Sequence, residues 1–302
     1  MYDLAIIGGG PAGYVAADGT KDDTKKSEML ENLVNKVNVE IEPDYEEPSY
    51  ETDLILNIFD LQKALDEAPE NATTIINLGA DIKGDVTDVQ KPGRMVIIDG
   101  HGKKYNGSIK VHSNSYYYDD AALTIKNVNF KSNKKDFTFI SAPSKINNKY
   151  NYSHNVTIED CTFKGNQTVG AASFTGTYNL VMKNCTATNM HSILQAQSCD
   201  NTVYVENVTT VECKNGISFG NTAYPTLKNS TIGAAEYGVR ADGNASRGNL
   251  VIENTTITAE KPVIVRKMTS DSYNVKLTAE TNEGYRFVGW TESGNVVSTD
   301  SE

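Results

Sequence analysis

Six stretches of this chain read almost alike: Leu123-Thr-Ile-Lys-Asn-Val-Asn-Phe130, Val156-Thr-Ile-Glu-Asp-Cys-Thr-Phe163, Leu180-Val-Met-Lys-Asn-Cys-Thr-Ala187, Val203-Tyr-Val-Glu-Asn-Val-Thr-Thr210, Pro225-Thr-Leu-Lys-Asn-Ser-Thr-Ile232 and Leu250-Val-Ile-Glu-Asn-Thr-Thr-Ile257. The fifth position is Asn127, Asp160, Asn184, Asn207, Asn229 and Asn254, at successive spacings of 33, 24, 23, 22 and 25 residues. Two residues before each stands an aliphatic side chain, and the residue between is always Lys or Glu. Apolar and charged positions alternating at period two make strands rather than helices. A repeat of this length, with two or three short strands in each copy, describes one coil of a parallel β-helix. No coil can bury its inner face alone, and stacking the coils buries one continuous core.

The recurring Asn suits a sharp bend, because it tolerates the left-handed backbone and its amide can bond to the equivalent residue one coil along. A buried asparagine ladder is therefore expected at Asn127, Asp160, Asn184, Asn207, Asn229 and Asn254, with Asp160 as its imperfect member. Further strand candidates recur in step with it: residues 136–141, 171–175, 192–196, 216–219, 238–242 and 262–266. Cys161 and Cys185 share a repeat position and should stack inside the coil, where a disulfide and two free thiols are both compatible with the spacing. The Asn-x-Ser/Thr triplets follow from the ladder and carry no message about glycosylation.

The rest of the composition agrees. Thirty Asn and 29 Thr among 302 residues favour turns and strands over helix interiors. With 22% charged residues the chain reads as folded, and no apolar run approaches the ~20 residues of a membrane-spanning helix. A net charge of −11 argues against nucleic acid or an anionic membrane as the main partner. Four Cys and four His without a C-x-x-C or H-x-x-x-H spacing give no zinc site.

From residue 54 to about 275 the chain resembles the right-handed parallel β-helix proteins of the pectate-lyase-like superfamily. Phe59-Asp-Leu-Gln-Lys-Ala-Leu-Asp-Glu-Ala-Pro-Glu70 resembles their short capping helix. The strand Thr74–Gly79 follows it, and Val96-Ile-Ile-Asp-Gly-His-Gly-Lys103 resembles a first full coil. The resemblance implies an all-β solenoid with a short N-terminal capping helix. It says little of activity, because such a fold carries lyases, hydrolases, adhesins and inert stalks alike.

The two ends read differently. Leu4–Ile7 followed by Gly8, Gly10 and Gly13 closely resembles the dinucleotide loop that opens dihydrolipoamide dehydrogenase and related FAD-dependent enzymes. The likeness stops at Ala17, with no crossover helix, acidic ribose ligand or redox cysteine pair, so residues 1–17 read as a fused leader or fragment that holds no flavin. Residues 18–53 read as an acidic linker with a short amphipathic helix from Ser27 to about Val37. Residues 274–290, ending Phe-Val-Gly-Trp, resemble part of the internalin-type B-repeats of bacterial surface proteins, so 276–302 reads as a truncated repeat or a cap.

A lyase or glycosidase on such a scaffold needs carboxylates converging from neighbouring coils, with calcium and an Arg or Lys base in the lyase case. The outward candidates are Arg240 and Asp242 on one coil with Arg266 and Lys267 on the next. Ser218 and Asn221 stand one coil back, and Gln195 and Gln197 two back. Asp242, Arg240 and Arg266 are thus the weak catalytic candidates, and Gln195, Gln197, Arg240, Asp242 and Arg266 the ligand-binding set. Asp119 and Asp120, after three tyrosines, are the metal candidates, with calcium as the ion, and no other cofactor is implied. His154 and His191 fall in turns between coils. The expected function is a secreted or cell-surface bacterial scaffold that binds a polysaccharide or glycan, or serves as an adhesin toward a host or cell-surface protein. A polysaccharide lyase or glycoside hydrolase on the same face is the alternative.

Overall fold

The computed structural model describes residues 3–6, 14–17, 48–113, 120–146, 149–222, 224–243, 250–267, 275–277, 290–292 and 295–298. Contacts divide the chain into two units, 1–46 and 47–302. In the first, Asp3–Ile6 pairs antiparallel with Tyr14–Ala17. The residues after the three glycines are therefore strand, where a dinucleotide fold would begin its helix. The helix expected at Ser27–Val37 lies outside the described residues.

The second unit is a right-handed parallel β-solenoid of about eight turns. Each full coil contributes strands to three faces. The first face is a ten-stranded parallel sheet in strict sequence order, from Ser49–Glu51 through Ala122–Lys126, Ser153–Glu159 and Thr177–Lys183 to Val275–Leu277. It begins inside the stretch read as linker. The second face is built of short strands such as Thr162–Lys164 and Thr186–Thr188, and the third of longer ones, from Val86–Gln90 through Ser192–Gln197 to Lys261–Lys267. Thr209–Gly220 and Thr231–Gly243 run from the second face into the third and join them into one sheet.

The corner after the first face falls on the recurring Asn. Asn127, Asp160, Asn184, Asn207, Asn229 and Asn254 all have φ between 45° and 55°, a conformation that costs other L residues roughly 1–2 kcal/mol each. Their amides do pair between coils: Asn207 Nδ2 donates to Asn184 Oδ1 at 2.8 Å, Asn184 to Asp160 at 3.1 Å and Asn254 to Asn229 at 3.3 Å. Two members turn aside, Asn127 to Asp99 and Asn229 to Glu206. The ladder is not buried, however. From Asp160 onward its side chains are exposed on the outer corner, and Asn127 is half-buried. A single left-handed residue resets the inward–outward alternation, so the next residue, Val128, Cys161, Cys185, Val208 or Ser230, points in and is buried. A second ladder stands at the start of the same face, where Asn201 donates to Asn179 at 2.8 Å and Asn179 to Asn155 at 2.7 Å.

Stacking aligns like with like. Inside, Tyr105, Phe130 and Phe163 form a column, the two phenylalanines stacked at 5.0 Å. Outside, along the edge of the first face, Asp99, Lys126, Glu159, Lys183, Glu206, Lys228 and Glu253 are register partners of alternating sign. Lys126–Asp99, Lys183–Glu206 and Lys228–Glu253 are within 3.3, 3.8 and 2.8 Å.

At the N-terminal end the helix α1, Ile58–Glu67, lays Leu61 and Leu65 on the core. Asn57 caps it by accepting from the Phe59 and Asp60 amides at 3.0 Å. Arg94, fully buried, donates to the Leu65 and Ala68 carbonyls at 2.5 and 3.3 Å and to Asp88, also fully buried, at 2.6 Å. One guanidinium thus fastens the C-terminal end of α1 to the third face. No described helix is long and apolar enough to cross a membrane.

Two stability measurements check these devices. Asp88→Ala leaves Arg94 a buried cation without its counter-charge, so urea unfolding should show a loss of about 3–5 kcal/mol, more than a solvent-exposed Asp→Ala change would give. Asn207→Leu should lower stability by about 1–2 kcal/mol and Asn207→Gly by much less, because Gly accepts the left-handed corner; equal losses would mean that the side-chain bond, not the backbone, sets the cost.

Candidate functional site

The third face brings most of the candidate residues together. Ser141, Ser173, Gln195, Ser218 and Arg240 are successive register partners, each one position before a residue of the buried column Ala142, Phe174, Ala196, Phe219 and Ala241 and so on the opposite side of its strand. A second outward column runs Thr175, Gln197, Gly220 and Asp242, with Arg266 next in backbone register. The partner of Asp242 one coil back is therefore Gly220 and not Asn221, which turns the corner beyond the strand at φ 50°. Adjacent coils stand ~4.8 Å apart, so each column presents a group at that interval.

At one end of the strip the Arg240 guanidinium pairs with the Asp242 carboxylate on its own strand and lies 5.9 Å from the centre of the Tyr237 ring. Arg266 is in register with Asp242, and Lys267 with Gly243, by their backbones. The register positions on either side of Asp242 are thus Gly220 and Arg266, neither of them an acid. A pair of hydrolytic carboxylates must lie within ~5–9.5 Å of each other, and the outward columns bring no second carboxylate beside this one.

At the other end lies a cleft of about 240 Å³, walled by Asp136, Phe137, Thr138, Ser173, His191, Ser192 and Gln195, among others. It opens where the second face turns into the third. Asp136 sits at φ 50°, Phe137 meets Phe139 edge-on at 5.3 Å, and the Lys134 ammonium lies 5.2 Å over the Phe137 ring. His191, half-buried, has Nδ1 3.5 Å from Ser192 Oγ. Burial, with the Lys214 ammonium nearby, holds its imidazole below the usual histidine value against an upward pull from Glu236. Of this cleft the sequence reading had Gln195 as a ligand residue and His191 as a residue of a turn between coils, where it does lie. The Gln195–Ser218 alignment extended one coil back reaches Ser173, but Asp136, Phe137 and His191 lie at a corner where the repeat has no fixed residue.

The other candidates lie elsewhere. Asp120 is an exposed turn residue, and Asp119 and the three tyrosines before it are outside the described residues. Among the described residues no group of three or more His, Cys, Asp or Glu is placed to hold a metal. His154 is not in a turn: it is a buried strand residue whose amide donates to Gln90 at 2.7 Å and whose Nε2 is 3.3 Å from Ser113 Oγ. Cys161 and Cys185 stack inside as free thiols, as are Cys199 and Cys213. A hydrogen bond with Cys185, then burial, pushes the Cys161 thiol well up, and burial pushes Cys199 up to about 12. Neither is an activated nucleophile. A larger hollow, about 720 Å³, lies between α1 and residues 50–55, away from this strip and lined in good part by apolar groups such as Leu54, Ile55 and Pro69.

Compared with known proteins, residues 113–283 match the family described as a right handed beta helix region. No curated protein and no solved structure is a match.

The depressed His191 value has a measurable consequence. A base that takes its proton less readily when folded is stable above its unfolded value of about 6.5, and loses that advantage as pH falls through it. His191→Gln should flatten the fall in thermal stability between about pH 7 and about pH 5; parallel profiles for variant and parent would show that the imidazole is not held neutral.

Proposed function

Since the chain belongs to the right-handed β-helix family, we propose that it is a secreted or cell-surface scaffold whose third face binds carbohydrate. One observation carries this reading: the register that stacks Gln195, Gln197, Arg240 and Asp242 on one surface also opens the Phe137–His191 cleft beside Gln195. Sugar sites combine an apolar or aromatic wall with a few polar groups converging on it, and Phe137, Ser173, His191 and Gln195 supply both kinds. Hydroxyl and amide side chains both donate and accept, which matches the mixed bonding of sugar hydroxyls. Rigid strands hold these groups at a fixed interval, as a polymer with its own repeat requires.

A lyase or hydrolase on the same face has less support, since Asp242 stands between Gly220 and Arg266 and is engaged by Arg240. A surface location, and a host or cell-surface partner for an adhesin, rest on the likeness of residues 274–290 to surface-protein repeats. For calcium the candidates are Asp119 and Asp120, of which Asp120 is an exposed turn residue, and no chemistry is assigned to the ion.

The full chain should be assayed for both binding and cleavage on a panel of plant, host and bacterial polysaccharides, with calcium present. Retardation in polysaccharide-containing native gels without release of reducing ends or unsaturated sugars supports the binding scaffold. Release abolished by Asp242→Asn would make the protein an enzyme and overturn it.

A further inference from the structure

We infer that the third face takes an uncharged polysaccharide laid across the coils, with one sugar unit seated in the cleft between Phe137 and His191. The inference rests on the carbohydrate-binding reading and narrows it by charge. From Ser141 through Ser173 and Gln195 to Ser218, and from Thr175 through Gln197 to Gly220, neither outward column holds an ionisable group. Three coil steps make that strip ~14 Å long. Binding a uronate or sulfated chain takes a cation at intervals along its path; here those positions are hydroxyls and amides.

The charges that border the strip point the same way. Arg240 is turned onto Asp242 and the Tyr237 ring, so its charge is met within its own strand. Asp136 puts a carboxylate at the cleft, where it would repel a polyanion. Of the cations nearby, Lys134 lies over the Phe137 ring, Lys214 beside His191 is paired with Glu236 at 3.5 Å, and Lys110, the register partner of Ser141, lies next to Asp85. The imidazole of His191 is held toward its neutral form, able to donate from one nitrogen and accept at the other. The whole chain, at −11, adds a long-range repulsion against any polyanion approaching it.

The geometry also gives a direction. Groups repeat across the coils at the ~4.8 Å interval while each strand of the strip gives only two or three outward positions, so the long axis of the polar strip runs along the stack. Gly220 carries no side chain, which leaves a dip between Gln197 and Asp242; a methyl group built there would reach Gln197 Cγ at 3.4 Å. A chain entering over that dip and ending in the cleft crosses the Gln197 and Gln195 amides.

The test is native affinity electrophoresis of the full chain in gels containing galactomannan, xylan or mixed-linkage glucan, and in parallel polygalacturonate or alginate, at ~50 and ~500 mM NaCl. Retardation by a neutral polymer and by neither acidic one, unchanged by salt, is expected. Gln195→Ala and Gln197→Ala should each weaken it several-fold with melting curves unaltered. Retardation by an acidic polymer that fades with salt would overturn the inference and leave the carbohydrate reading standing. Neutral-polymer binding indifferent to both substitutions would overturn the assigned face. No retardation in any gel would overturn both readings together.

Discussion

The architecture depends on a backbone conformation that most residues avoid. From the coil of Arg94–Asp99 to that of Leu250–Glu253, at the end of the first face, the chain passes through a left-handed residue at φ near +50°, His101 first and then, from Asn127 to Asn254, the fifth repeat position. That residue turns the chain through the corner and also shifts which side chains point inward. Before it, Ile158 faces the core and Glu159 the solvent; after it, Cys161 faces the core and Thr162 the solvent. Had the strand continued straight, the alternation would have put Asp160 inside. With the corner fixed, each coil lands in register on the last, and residues far apart in the chain become neighbours ~4.8 Å apart. The inner aromatic column, the outer ladder of alternating charge and the polar strip of the third face all follow from this one repeated bend.

Stability in such a stack is shared unequally. Interior coils are held on two sides and contribute nearest-neighbour terms to each other. The first coil has a neighbour on one side only, and there the helix α1 and the buried Arg94–Asp88 pair take the place of a preceding coil. A buried ion pair is not by itself a source of stability, but here Arg94 also donates to the Leu65 and Ala68 carbonyls at the end of the helix, so the pair specifies where the cap sits.

Much of this was legible in the chain. The period-two alternation and the Asn spacing gave the solenoid, its strands to within a few residues, and the interior stacking of Cys161 on Cys185. The same alignment placed Gln195, Gln197, Arg240 and Asp242 on one face. What could not be read depended on the corners. The exposure of the Asn ladder was hidden because alternation was carried across a bend that resets it. Asn221 was placed beside Asp242 for the same kind of reason, one residue past where the strand ends. His154 was read as a turn residue because the strand Ser153–Glu159 begins earlier than the repeat it contains. The cleft was missed because His191, though read as a turn residue, meets Asp136 and Phe137 only when two corners are stacked.

The alternating charges along the edge of the first face bear on how a solenoid of this kind can change length. Asp99, Lys126, Glu159, Lys183, Glu206, Lys228 and Glu253 follow one another coil by coil. Excising any single interior coil of that run would bring two acids or two bases face to face, whereas excising two adjacent coils would restore the sequence of signs. Like charges directly opposed on neighbouring strands are unfavourable. Parity along this edge therefore favours growth and shrinkage by pairs of coils, a two-coil grain in the evolution of a fold whose hydrophobic interior alone would accept one.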